Sequence, residues 1–293
     1  MTSRARRLLE VGSLAVRPFP VSLLRRAGST LGRAASHRLD DSMTALESNL
    51  RRVCPDATDA ELRALARQGF GSYGRYWAET LRLPGLSPAT IDTGFGVEGY
   101  EHILQARRDG LGPIMVLPHL GGWEWAAAWL GRVADIPVSA VVEPLEPHDV
   151  FEWFRDVRSS YGINVIPLGP NALGPVVAAV KAKHVVCLLA DRDLTGGGIE
   201  VDFFGARTTM PVGPALVARR TGAPLLPTAV YFEGDQRVCR IRPPVPVSRG
   251  GSLRADLRAT TQQLARELEI LIEAAPEQWH VLQPVFLDEA TAG

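Results

Sequence analysis

One stretch of the chain sets a histidine and a carboxylate five residues apart across two glycines: Pro113-Ile114-Met115-Val116-Leu117-Pro118-His119-Leu120-Gly121-Gly122-Trp123-Glu124-Trp125. An uncharged apolar run of strand length leads to His119, and an apolar segment of helical length starts at Glu124. The pattern predicts a strand, a tight turn and a helix, with an acid/base pair at the turn. On one continuous helix, five residues turn about 140°, which points the two side chains apart. They meet only if Gly121 and Gly122 fold the chain back. A histidine placed there takes up a proton near neutral pH, and a carboxylate within reach fixes its tautomer and stabilises the imidazolium. The plainer alternative leaves His119 as a strand-end residue and Glu124 in the first turn of a helix, where the dipole favours negative charge.

Composition narrows the class of molecule. With 293 residues, 46% hydrophobic and 22% charged, the chain is long and apolar enough to bury a substantial core. A net charge of zero argues against general nucleic-acid binding. The charge is uneven, however: residues 1–39 carry Arg4, Arg6, Arg7, Arg17, Arg25, Arg26, Arg33 and Arg38 against Glu10 alone. Cys54, Cys187 and Cys239 form no C-x-x-C, so reduced cysteines, a cytosolic setting and no zinc site are expected. The longest uncharged run, Ser159 to Val180, is interrupted by glycines and prolines and is not a membrane span.

The elements that must position the motif follow in order. Residues 1–52 read as short helices in which Leu8, Leu9, Val11, Leu14, Val21, Leu23 and Leu24 alternate with arginines. That is the pattern of an interfacial helix on anionic lipid, or of an arginine-rich face packed on the domain. Thr58-Asp59-Ala60-Glu61 is a capping box opening a helix to about Leu83. Gly94-Phe95-Gly96-Val97-Glu98-Gly99 is a literal G-x-G-x-x-G. It lacks a buried strand before it and an acid about twenty residues later, so a dinucleotide site is disfavoured. From Tyr100 helices and strands alternate, with strands at Pro113–Leu117, Pro137–Val142, Asn164–Pro167, Val185–Leu189, Ile199–Phe204, Leu225–Phe232 and Val238–Arg242 and a long last helix from Leu253 to Ala274. The expected fold is α/β, a central mixed, mostly parallel sheet flanked by helices, with an N-terminal helical membrane-associating extension. A helical region at 1–90 and an α/β unit at 91–293 are the expected division. Ligands of such sheets sit beyond the carboxyl ends of the strands. His119 lies at one end, Glu143 at another and Asp191-Arg192-Asp193 at a third, so the three clusters converge on one cleft.

These residues resemble the lysophospholipid acyltransferase superfamily, whose first signature is H-x4-D/E, here His119 to Glu124. The chain is further similar to the bacterial lipid A biosynthesis acyltransferase branch. That likeness rests on Phe151-Glu152-Trp153-Phe154-Arg155-Asp156-Val157-Arg158, Ala190-Asp191-Arg192-Asp193-Leu194, Phe203-Phe204-Gly205, Met210-Pro211-Val212-Gly213-Pro214-Ala215 and Pro276-Glu277-Gln278-Trp279-His280. Glu143-Pro144-Leu145-Glu146-Pro147 and Gly198-Ile199-Glu200-Val201 resemble the actinobacterial phosphatidylinositol mannoside acyltransferases more closely.

The resemblance implies transfer of a fatty acyl group from acyl-CoA, palmitoyl-CoA foremost, to a mannose hydroxyl of a phosphatidylinositol mannoside. Acyl-CoA serves as cosubstrate without a further cofactor, and the setting is the inner face of the plasma membrane. A lipid A type (lauroyl or myristoyl) or other glycolipid or lysophospholipid acyltransferase is the alternative. His119 would act as general base, with no acyl-enzyme. Glu124 would steady it, and Glu200, a carboxylate the resemblance brings from its third block, is a second candidate partner. Arg158 and Arg192 are the expected phosphate-binding cations, because a guanidinium pairs with phosphate bidentately. Glu143 and Asp193 are expected at sugar hydroxyls. Trp123, Trp125, Trp129 and Phe154 are candidates to line an acyl groove, since each buried methylene contributes about 0.8 kcal/mol.

Overall fold

A computed structural model describes residues 3–287. Four helices come first: α1 (Arg4–Val16), α2 (Val21–Ala35), α3 (Asp40–Val53) and α4 (Asp59–Arg82). Thr58 caps α4 as its sequence requires, accepting from Glu61 N at 3.3 Å while its own N–H donates to the Glu61 carboxylate at 2.8 Å. Helix α2 lies against α4 with backbone on backbone, since a Cβ at Gly28 would stand 2.5 Å from the Gly74 carbonyl oxygen. Apolar residues on the outer surface of α1 and α2 are left uncovered, Leu8 at 73% exposed and Leu31 at 70% among them. Among the described residues no helix is long and apolar enough to cross a membrane.

The chain continues through α5 (Pro88–Thr93), β1 (Phe95–Glu98), α6 (Tyr100–Arg108), β2 (Ile114–Leu117), α7 (Trp123–Arg132), β3 (Val138–Val142), α8 (His148–Ser160) and β4 (Ile163–Pro167). It then runs through α9 (Leu173–Lys181), β5 (Val185–Leu189), β6 (Ile199–Phe203), β7 (Ala206–Met210), α10 (Gly213–Thr221), β8 (Leu225–Glu233), β9 (Gln236–Ile241) and α11 (Leu253–Glu273). Seven strands form one sheet in the order β1-β9-β8-β2-β5-β3-β4. Only the β8–β9 pair is antiparallel, so the sheet is mixed and mostly parallel, as expected. A separate hairpin pairs β6 with β7.

Both faces of the sheet are covered, which is why its central strands read as unbroken apolar runs. Ile114 and Val116 point to the core beneath α9, α10 and α11, whereas Met115 and Leu117 point to the core beneath α7. The glycine-rich stretch Gly94–Gly99 takes a form unlike a phosphate-binding loop. It contains an edge strand, β1, and Gly99 turns the chain into α6. Strand β7 was not anticipated; its partly polar Ala206-Arg207-Thr208-Thr209-Met210 hides the alternation that burial reveals.

Candidate active site

The sheet order explains why distant segments meet. β2, β5 and β3 are neighbours, so the residues following Leu117, Leu189 and Val142 emerge side by side. After β2 the chain turns sharply, with Leu120 N donating to Pro118 O at 2.8 Å. Gly121 completes the turn with a φ of +61°, and a Cβ there would stand 1.9 Å from the Val230 carbonyl oxygen. Only glycine fits, both by conformation and by space. Gly122 N then donates to Val230 O at 2.9 Å, and α7 starts at Trp123.

His119 pairs with Asp191, the second residue after β5. The His119 backbone N–H donates to Asp191 Oδ2 at 2.8 Å, and ring atom Nδ1 lies 2.6 Å from Oδ1. Trp279 adds an indole N–H to Oδ2 at 2.8 Å. Asp191 is fully buried, which opposes its charge. The charge of His119 and the donors around the carboxylate nevertheless hold its pKa below the usual value. An ionised carboxylate only accepts, so Nδ1 carries the hydrogen and, in the neutral ring, Nε2 carries the lone pair; the side chain is 16% accessible. Such a dyad can take a proton from a hydroxyl placed at Nε2.

A short strap near the C-terminus closes over the turn. Gly121 N donates to Gln278 O at 3.0 Å, and His280 N donates to His119 O at 2.7 Å. The His280 ring sits beside Tyr73, Tyr76 and Trp123. Burial, then the charge of His119, pushes its pKa down to about 3, so it stays neutral near pH 7.

Glu124 does not hold His119. Its carboxylate is bonded to Arg158, whose Nε donates to Oε1 at 2.9 Å, and to the Tyr161 hydroxyl at 3.0 Å. The geometric reason lies in the turn: at the start of α7, Glu124 faces α8 rather than returning toward the histidine. Burial opposes the charge on Arg158, but the adjacent Glu124 carboxylate raises its pKa overall. The same burial, aided by Glu124, pushes the Tyr76 and Tyr161 hydroxyls well up. Arg158 is therefore committed to a carboxylate of its own chain.

Glu200 is also placed away from His119. It stands exposed on β6 with Arg207 at 3.8 Å across the hairpin, because alternation along the strand turns it to solvent while Val201 points inward. The carboxylate that reaches the histidine is Asp191, two residues past β5. Asp193 is occupied by its own loop, accepting from Thr195 N at 2.9 Å and Gly198 N at 2.7 Å. Glu143 lies 3.8 Å from Arg192, whose other terminal nitrogen donates to Gln283 at 2.8 Å.

His119 opens on a cavity of about 410 Å3. One arm runs between α7 and the sheet, walled by Leu117, Ala126, Ala127, Leu130, Ala140 and Leu189. Trp123 and Phe154 line the cavity, as do Glu143, Arg158, Arg192 and Asp193. Trp125 and Trp129 turn the other way, donating their indole N–H groups to Ile91 O at 3.0 Å and Asp92 at 2.9 Å.

A buried pair that loses one partner leaves an uncompensated charge, at a cost of about 3–5 kcal/mol. Arg158→Met is therefore expected to lower unfolding free energy by about that amount in a denaturant titration. The double variant Glu124→Leu/Arg158→Met should recover most of the loss.

A family model described as bacterial lipid A biosynthesis acyltransferase matches residues 6–288. A phosphatidylinositol mannoside acyltransferase of Mycobacterium tuberculosis is 37% identical over 281 residues, covering 94% of this chain and 86% of that protein. Its counterpart from Mycolicibacterium smegmatis is 36% identical over 245 residues, covering 83% and 79%. A lipid A biosynthesis acyltransferase of Haemophilus influenzae is 21% identical over 266 residues, covering 89% and 80%. With a histidine–carboxylate dyad set at the mouth of an apolar cavity, and with that match along nearly its whole length, the chain belongs to the bacterial lipid A biosynthesis acyltransferase family.

Proposed function

We propose that this protein transfers a fatty acyl chain from acyl-CoA to a mannose hydroxyl of a phosphatidylinositol mannoside, with His119 as general base. The observation that carries the reading is His119 in the wall of a largely apolar cavity of about 410 Å3, with Nδ1 committed to Asp191. The tail of the thioester fits an arm walled by alanine and leucine, where burying methylenes supplies binding energy. His119 Nε2 takes the proton of the sugar hydroxyl as its oxygen attacks the thioester carbonyl. The tetrahedral intermediate then expels the CoA thiolate, which receives that proton from the imidazolium. Asp191 acts through the ring, fixing its tautomer and stabilising its transient charge. Arg192 and Glu143 at the mouth suit the polar parts of the two substrates. The mycobacterial relatives favour the mannosylated acceptor over the lipid A type.

His119→Ala is expected to lower the rate of CoA thiol release in the presence of the mannosylated lipid by at least about a hundredfold, with the fold retained by circular dichroism. Retained transfer would refute the assignment of the base. A lipid A precursor that is acylated in place of the mannosylated lipid would favour the alternative acceptor.

The same reading sets the protein at the inner surface of the plasma membrane. Leu8, Val11, Leu14, Leu23 and Leu31 are exposed on helices rich in arginine. Such a face gains from apolar insertion and from about 1 kcal/mol per basic residue near an anionic surface. Sedimentation with vesicles containing anionic lipid should decline as salt rises, and Leu8→Asp/Leu14→Asp should weaken it at least about tenfold. Equal binding to neutral vesicles, or no effect of the substitutions, would contradict peripheral docking through these helices.

A further inference from the structure

We infer that Trp279 is a positioning residue whose indole N–H sets how tightly His119 holds a proton; this rests on His119 being the base. Trp279 is fully buried, and its N–H reaches Asp191 Oδ2 at 2.8 Å. That oxygen already accepts the His119 backbone N–H at 2.8 Å. Two donors on Oδ2 fix the carboxylate plane, so that Oδ1 faces Nδ1 of the ring. They also draw negative charge away from Oδ1. Each donor therefore makes Asp191 a weaker stabiliser of the imidazolium than a carboxylate without it.

The strap does not need this bond to stay in place. Gln278 clasps β8, its Oε1 accepting from Phe232 N at 2.7 Å and its Nε2 donating to Phe232 O at 3.1 Å. His280 N holds His119 O, and the His280 ring pairs with Ser72 at 2.8 Å. Farther along, the Asn49 amide of α3 donates to Val281 O at 3.1 Å and Gln283 O at 2.9 Å. With the backbone pinned on both sides, the indole N–H is free to serve the carboxylate. Its aim at a buried, charged acceptor in the dyad is what an anchoring role leaves unexplained.

The titratable and charged groups facing His119 are few. Asp191 comes from the end of β5 and His280 from the strap; around the cavity stand the Glu124–Arg158 pair, Glu143, Arg192 and Asp193, with Tyr76 and Cys187, whose hydroxyl and thiol burial pushes up and keeps protonated near pH 7. Glu124 and Arg158 offset each other, and the buried His280 stays neutral above about pH 3. Of these, Asp191 is the group in direct contact with the imidazole, and its strength is what Trp279 adjusts.

The test is the pH profile of kcat/KM for acyl transfer in Trp279→Phe, which keeps an aromatic ring and removes the donor. The acid limb is expected to move to higher pH by about half a unit or more, with kcat reduced about tenfold. A residue that only fills space would lower stability or rate and leave the limb where it is. An unmoved limb overturns the inference.

A measurement on the native chain keeps the test open if that variant does not fold. In protein labelled with 15N at its six tryptophans, the indole N–H resonance of Trp279, identified with single Trp→Phe variants at the other five, should titrate at the His119 midpoint. It should stop doing so in His119→Ala. An indole signal insensitive to that titration overturns the inference equally. Transfer retained in His119→Ala would instead refute the reading of His119 itself, so the two failures are distinguishable.

Discussion

A buried carboxylate governs the rest of this site. Asp191 is shielded from water, yet it keeps its charge because every approach to it is a donor: the backbone and ring of His119 and the indole of Trp279. Taking an unpaired carboxylate out of water costs several kcal/mol, so the arrangement persists only while those donors stay aligned. They come from two remote parts of the chain, brought to Asp191 by the β2–β5 pairing and by the strap from Gln278 to His280. The ring of His119 is thereby held in one orientation, at the wall of the cavity.

A second rule explains the remaining buried charges. Glu124 and Arg158 offset each other between α7 and α8, while Glu79 is sandwiched by Arg75 and Arg237, with Nε–oxygen distances of 2.8 Å in both cases. Arg237 also lies over the Trp125 ring at 3.9 Å. Replacing such pairs with apolar residues need not lose stability, so their worth lies in fixing orientation. The Glu124–Arg158 pair, with the Tyr161 hydroxyl on Glu124 behind it, stiffens the cavity wall that carries Tyr76. In this fold the signature acid five residues after the histidine is thus part of the framework around the cavity, and the acid that touches the histidine is Asp191.

Much of this was legible in the residues. Unbroken apolar runs marked the central strands, the capping box fixed the start of α4, and the turn residues before Trp123 announced a strand–turn–helix unit. The convergence of His119, Glu143 and Asp191-Arg192-Asp193 followed from the rule that strand ends carry ligands. The pairing within that cluster did not. Nearness in sequence favoured Glu124 as partner, and the family resemblance suggested Glu200, but the decision depends on strand order and on which way a turn aims one side chain. Trp279 stood in a quoted motif without a role, since no local pattern shows that a segment 160 residues downstream will cross over the turn after β2. Edge strand β1 was obscured by its glycines, and the direction of Trp125 and Trp129 by their place on a helix with two buried faces.

The account stands on the charge of Asp191 acting through His119, and Asp191→Asn isolates it. Asparagine keeps the shape and can still accept from the His119 backbone and Trp279, but it cannot stabilise an imidazolium. The account predicts that kcat/KM for acyl transfer falls by about three to four orders of magnitude, with the fold retained by circular dichroism. Activity within about tenfold of the native protein would contradict it.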